Sequence, residues 1–209
     1  MHLIREYVVS SEKVLFEGNN YSEEWEKEAK RRGLPNVTTS PLALDAMVTA
    51  KAKRLFEEND VYTHAELEAR HEIELEKYIK KVQIEARIMG ELCTSHIVPS
   101  AVRYMNVLIK NIQGLKELGF PETAYANQKQ ILDRITEHTN KLSDMVEQMI
   151  EARKKSNVIE DTRSKAIAYC NEIKDAFFDK IRYHVDKLEL LVDDQYWVLP
   201  KYREMLFLR

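Results

Sequence analysis

Thr63-His64-Ala65-Glu66-Leu67-Glu68-Ala69-Arg70-His71-Glu72-Ile73-Glu74-Leu75-Glu76-Lys77-Tyr78-Ile79-Lys80-Lys81-Val82-Gln83-Ile84-Glu85-Ala86-Arg87-Ile88-Met89-Gly90-Glu91-Leu92-Cys93 is the stretch that decides the fold. Thr63, with Glu66 three residues later, has the pairing of a capping box, in which hydroxyl and carboxylate each satisfy a backbone N–H left open at a helix start. Leu75, Tyr78, Val82, Ala86, Met89 and Cys93 then step by threes and fours, which places them on one stripe of a helix with 3.6 residues per turn. Most other positions are polar or charged, so the helix needs partners to cover that stripe.

C-terminal to this stretch, Pro99 predicts a kink or break over 96–99, because proline removes a helix donor and crowds the preceding turn. The stripe resumes with Val98, Val102, Met105, Leu108 or Ile109, Ile112 and Leu115, and Gly119-Phe120-Pro121 stops it. Ile131, Ile135, His138, Leu142, Met145 and Met149 mark a further helix that ends in Arg153-Lys154-Lys155, with Ser156-Asn157 as a short hinge. Cys170, Ile173, Phe177, Ile181, His184, Leu188 and Leu191 mark the last long helix, closed by Asp193-Asp194. The expected fold is all-α: an elongated antiparallel bundle of three to four long helices, each of roughly 30 residues reaching about 45 Å.

N-terminal to the stretch the elements are shorter. His2 to Val9 reads as a short helix or the end of one, and Lys13-Val14-Leu15-Phe16 as a brief extended run broken at Gly18-Asn19-Asn20. Ser22 is an N-cap, with Trp25 in the capping-box position where glutamate is usual. Glu23, Glu24 and Glu26 in the first turn and Lys30, Arg31 and Arg32 in the last complement the helix dipole before Gly33 ends the helix. Ser40-Pro41 opens one or two further short helices that end near Asn59, with Leu44, Met47, Val48, Ala52, Leu55 and Phe56 on one face.

Composition narrows the function classes. Of 209 residues, 44% are hydrophobic and 32% charged, with only five glycines and five prolines, which argues against disorder and against turn-rich all-β architectures. With 32 basic against 35 acidic residues the formal charge is −3, so no bulk attraction to nucleic acid or an anionic membrane is expected. No apolar run approaches the roughly 20 residues of a membrane span, and Met1 to Ser10 lacks a signal peptide's apolar region. Cys93 and Cys170 lie in no metal or redox spacing, which fits a reducing cytoplasmic setting.

Several side chains are candidates for chemistry. Glu68-Ala69-Arg70-His71 is the single Glu-x-x-His pair in the chain. A di-metal carboxylate bundle needs two such pairs, so a metal-binding helical-bundle enzyme stands against a solvated charged turn. His138 and His184 fall on apolar stripes, as buried bases or as hydrogen-bonded core residues. Cys93 and Cys170 read as small buried hydrophobes. Gly18-Asn19-Asn20-Tyr21-Ser22 lacks the spaced glycines of a phosphate loop and reads as a turn and cap. Tyr196, Trp197, Tyr202 and Phe207 in the tail Met205-Leu206-Phe207-Leu208 and the residues before it either pack back on the bundle or dock on a partner. No catalytic, cofactor-binding or metal-binding set emerges from these residues.

The run Phe16-Glu17-Gly18-Asn19-Asn20-Tyr21-Ser22-Glu23-Glu24-Trp25 resembles a segment of type III glutamine synthetases that follows their catalytic domain. Glu28-Ala29-Lys30-Arg31-Arg32-Gly33-Leu34-Pro35-Asn36 continues the likeness. So do Glu66 to Ile73, Glu76-Lys77-Tyr78, Ile84-Glu85-Ala86, Ile97-Val98-Pro99-Ser100-Ala101-Val102-Arg103-Tyr104 and the tail from Trp197 to Phe207. Asn20 stands where the family has a second glycine, His71 where it has tyrosine, and Val198 where it has a proline. Asparagine tolerates φ > 0 better than most residues, so the turn at Asn20 is expected to survive.

The resemblance implies the C-terminal helical domain of an enzyme that makes glutamine from glutamate, ammonia and ATP with Mg²⁺ or Mn²⁺. It places the metal, nucleotide and substrate residues upstream of this chain, so no catalytic residue carries over. It implies residues 1–17 as the last piece of the catalytic domain, 18–62 as a short-helix connector and 63–209 as the bundle with its aromatic tail. A structural and assembly role within a cytoplasmic homo-oligomer follows, with the catalytic domain as partner and the isolated chain inactive. A free-standing adaptor that binds or regulates a full-length synthetase is the alternative.

Overall fold

The structure, a computed structural model, describes residues 2–207; the side chain of Tyr202 and the expected tail residue Leu208 lie outside the described residues. The described residues form helices and 3₁₀ turns with no strand. Four short helices come first: α1 (His2–Ser10), α2 (Glu23–Arg32), α3 (Ser40–Leu44) and α4 (Ala50–Glu58). Three long rods follow, α5 (64–117), α6 (Ala126–Asn157) and α7 (162–191), and a terminal turn, α8 (Tyr202–Met205).

The rods start and stop where backbone chemistry dictates. Thr63 and Glu66 form the expected capping box at the start of α5, and the Asp161 carboxylate accepts the Ser164 N–H at 2.7 Å to cap α7. Gly33 and Gly119 end α2 and α5 in the left-handed region, at φ 70° and 78°, which glycine enters without strain.

Pro99 does not break α5. The helix widens into a π turn at Cys93–Ile97, in which the Val98 N–H reaches back to the Cys93 carbonyl, and then continues as Val98–Glu117. This changes which residues face inward. The inward positions run Cys93, Ile97, Ala101 and Met105 in steps of four, a spacing that would drift about 120° around an ideal helix. The wide turn absorbs the drift, so Ala101 is buried and Val102, expected on the stripe, is exposed. A second π segment, Tyr169–Phe178, serves the same purpose in α7.

The antiparallel order is visible in pair contacts. Thr136 of α6 lies against Met105 of α5, and Gly90 of α5 faces Val146 and Met149 of α6. α7 then turns back along α5, with Thr162 beside Glu72 and, past its end, Tyr196 against Tyr104. Three rods enclose one core, with Leu75, Val82, Ile97, Ile135, Leu142, Met149, Tyr169, Ile173, Ile181 and Leu188 all nearly or fully buried.

Two local expectations are corrected. Ser156-Asn157 is no hinge: Ser156 is buried within α6, and the connector is 158–161. There the Tyr169 hydroxyl donates to the Asn157 side chain at 2.6 Å, tying α7 to the end of α6. The expected extended run over 13–16 begins later, because Glu12–Val14 make a 3₁₀ turn and the backbone extends at Leu15.

Candidate functional site

The Glu68 and His71 pair is split by its surroundings. Lys53 of α4 donates to the Glu68 carboxylate at 2.5 Å, whereas His71 turns the other way and meets Asp45 through Nε2 at 3.2 Å. Arg163 at the start of α7 grips the same Asp45 carboxylate, with Nη2 at 2.6 Å and Nε at 3.0 Å. That guanidinium, and more weakly His71, holds the Asp45 carboxyl below its usual range. The result is an ion-paired junction that fixes the short-helix region to the bundle. Sequence pattern gave no sign of it, because Asp45 and Arg163 sit in ordinary polar positions far apart in the chain. Among the described residues no three His, Cys, Asp or Glu side chains converge as metal ligands would.

The two stripe histidines come together. His138 of α6 and His184 of α7 face each other with their Nδ1 atoms 2.9 Å apart, and Tyr183 packs edge-on to both rings. Burial lowers the proton affinity of both imidazoles. No nucleophile joins them in any hydrogen bond that the structure records, so the pair is a packing contact with a shared hydrogen bond.

Both cysteines are free and buried. Burial pushes the Cys93 thiol up to about 11, which keeps it protonated and unreactive at neutral pH. Cys170 lies 3.7 Å from Asp175, and burial beside that pair raises the Tyr78 phenol above its ordinary range.

The segment around Gly18 is a self-contained turn. The Asn19 side chain accepts the Tyr21 N–H at 3.0 Å, and the Ser22 hydroxyl accepts the Trp25 N–H at 3.3 Å. Phe16 packs on Trp25 with ring centroids 4.9 Å apart. A Cβ on Gly18 would meet the Phe16 ring at 2.6 Å, so glycine leaves room for that aromatic pair. Arg31 and Arg32 bracket Glu28 and hold its carboxyl at about 2.

The tail divides. Trp197 enters the core and Tyr196 packs on Tyr104, while Lys201 pins the strap through the Val192 carbonyl at 2.9 Å and Asp194 at 2.6 Å. Beyond that point Leu206 and Phe207 are exposed, 66% and 81%. At the other end no residue of α1 is buried: Leu3, Ile4, Tyr7, Val8 and Val9 all lie more than half exposed. This apolar surface escaped the sequence reading, which weighed α1 only as a helix fragment.

The fold and these contacts define a helical bundle domain with apolar ends. Residues 1–116 match the sequence profile of the glutamine synthetase C-terminal domain. A glutamine synthetase of Bacteroides fragilis (strain YCH46) is 41% identical over 209 residues, an alignment that takes in 98% of this chain and 28% of that protein. The type-3 glutamine synthetase of Dictyostelium discoideum is 29% identical, over 99% of this chain and 28% of its own length. A glutamine synthetase of Butyrivibrio fibrisolvens is 29% identical, over 98% and 29%. The chain belongs to the glutamine synthetase C-terminal domain family. It spans little more than a quarter of the length of the curated relatives it matches.

Proposed function

We propose that this domain serves the architecture of a type-3 glutamine synthetase: it braces the catalytic domain and contributes contacts between subunits of a homo-oligomer. The observation that carries this reading is α1. A nine-residue helix is marginal on its own in water, and this one buries none of its residues. A helix so exposed fits one that is completed by a surface elsewhere. Residues 1–17 are accordingly assigned to the edge of the catalytic domain, 18–62 to the connector and 63–209 to the bundle.

The parent enzyme would use ATP with Mg²⁺ or Mn²⁺ to join ammonia to glutamate in the cytoplasm. The candidate ligands among the described residues do not fit a metal–nucleotide site. The Glu-x-x-His pair is committed to Lys53 and Asp45, and no three potential ligands converge among the described residues. No helix among the described residues is long and apolar enough to cross a membrane.

The test has two arms. The purified 209-residue chain should form no γ-glutamyl hydroxamate from glutamate, hydroxylamine and ATP. In the full-length enzyme, Ile4→Asp combined with Val8→Asp should reduce activity and shift the assembled form to smaller species in sedimentation. Activity of the isolated chain, or a doubly substituted enzyme with normal size and rate, overturns the reading.

A further inference from the structure

His138 and His184 sit where α6 and α7 press together, with Nδ1 atoms 2.9 Å apart and ring centroids 5.1 Å apart. His184 is only 6% exposed. At that separation one Nδ1 carries the proton and the other accepts it. One added proton, on the free Nε2 of the donating ring, leaves that ring charged and still donating to the bare Nδ1 across the seam. A second proton, on the accepting Nδ1, leaves two donors face to face.

The surroundings do little to offset such charge. On α6, Arg134 and Lys141 are cationic, and Glu137 is already engaged by Lys141 at 2.6 Å. On α7, Lys187 lies over the Tyr183 ring, 5.3 Å from its centroid. At this level, set by the Thr136–Met105 contact, α5 brings Ala101, Tyr104 and Met105 to the core, and its Arg103 is turned to Ser100. The added protons would therefore meet a net positive, partly dehydrated setting.

We propose that the His138–His184 pair is an acid-sensitive clasp on the α6–α7 seam, closed while the rings share a hydrogen bond and opened when both are charged. Its place is where α7 leads into the strap that carries Trp197, so opening loosens the C-terminal end of the domain. The direction follows from linkage. Burial makes the folded state bind these protons more weakly than the unfolded chain, so stability is unaffected well above the ordinary histidine value near 6.5 and falls as pH drops through it.

Urea unfolding of the 209-residue chain at pH 7.5 and pH 5.5 tests this, comparing wild type with His138→Gln. The wild-type unfolding constant should rise about tenfold more than the variant's between the two pH values. An identical rise in both overturns the proposal. If His138→Gln fails to fold, NMR titration of the wild-type imidazoles decides. Uptake at the two rings in separate, coupled steps below 6.5 supports the clasp, and two independent titrations near 6.5 overturn it.

Discussion

Arg163 and Asp45, 118 residues apart in the chain, are joined through both carboxylate oxygens. The pair fastens the turn after α3 to the first turn of α7, and His71 of α5 completes it at 3.2 Å. Three separate parts of the chain therefore meet at one half-buried carboxylate.

Asp45→Ala should cost about 1 to 2 kcal/mol at pH 7, as expected for losing charge-assisted hydrogen bonds at a partly exposed site. Arg163 lowers the Asp45 carboxyl in the folded state. The contribution is therefore complete above the unfolded aspartate value near 4 and disappears as pH falls through the lower folded value. Unfolding curves of wild type and variant should be separated at pH 7 and converge in strong acid; a gap unchanged at every pH would show that Asp45 acts through packing.

Two glycines lie inside α5 with room for a methyl group. A Cβ on Gly90 would sit 3.8 Å from Val146, and one on Gly114 would meet nothing within 4 Å. Gly90→Ala and Gly114→Ala should each raise stability by about 0.5 to 1 kcal/mol, because glycine loses more backbone freedom in a helix than alanine. Thermal unfolding checks this, and a lower midpoint for Gly90→Ala would mean that the contact with Val146 and Met149 does not admit the methyl group.

Gly18→Ala should act locally. The new Cβ collides with the far edge of the Phe16 ring, which must then leave Trp25. In a Trp197→Phe background the Trp25 emission should shift, with the unfolding midpoint little changed. Unchanged emission would mean that the ring accommodates the methyl group without parting from Trp25.

Trp197→Ala should cost about 3 to 5 kcal/mol, the usual range for emptying a buried aromatic site, because Trp197 is 7% exposed within the core. Phe207→Ala, at 81% exposure, should leave the stability of the isolated chain within about 0.5 kcal/mol. Urea unfolding of both variants separates the packed half of the tail from its free end.

Much of the bundle was legible because its signals are local. The Thr63–Glu66 capping box, the glycine stops at Gly33 and Gly119 and the stripe from Leu75 to Cys93 all depend on residues a few positions apart. What escaped depends on tertiary context. The π turn before Pro99 exchanges a break for a register shift, which put Ala101 inward in place of Val102. On α6 Ile135, Leu142 and Met149 are buried as expected, but Thr139 and Val146 are buried where His138 and Met145 were expected, and those two are half-buried beside them. His138 and His184 were each visible on a stripe, but only the packing of α6 on α7 made them a pair. Asp45 and Arg163 carried no pattern at all, since an ion pair between distant elements has no period.

Immunoblotting of source-cell extract with an antibody raised against residues 63–209 tests most directly whether this chain works as part of a synthetase. A single band several times larger than 24.6 kDa is the predicted result, since the matched relatives are between three and four times as long as the chain. A band at 24.6 kDa would contradict it and make the chain a free-standing helical protein.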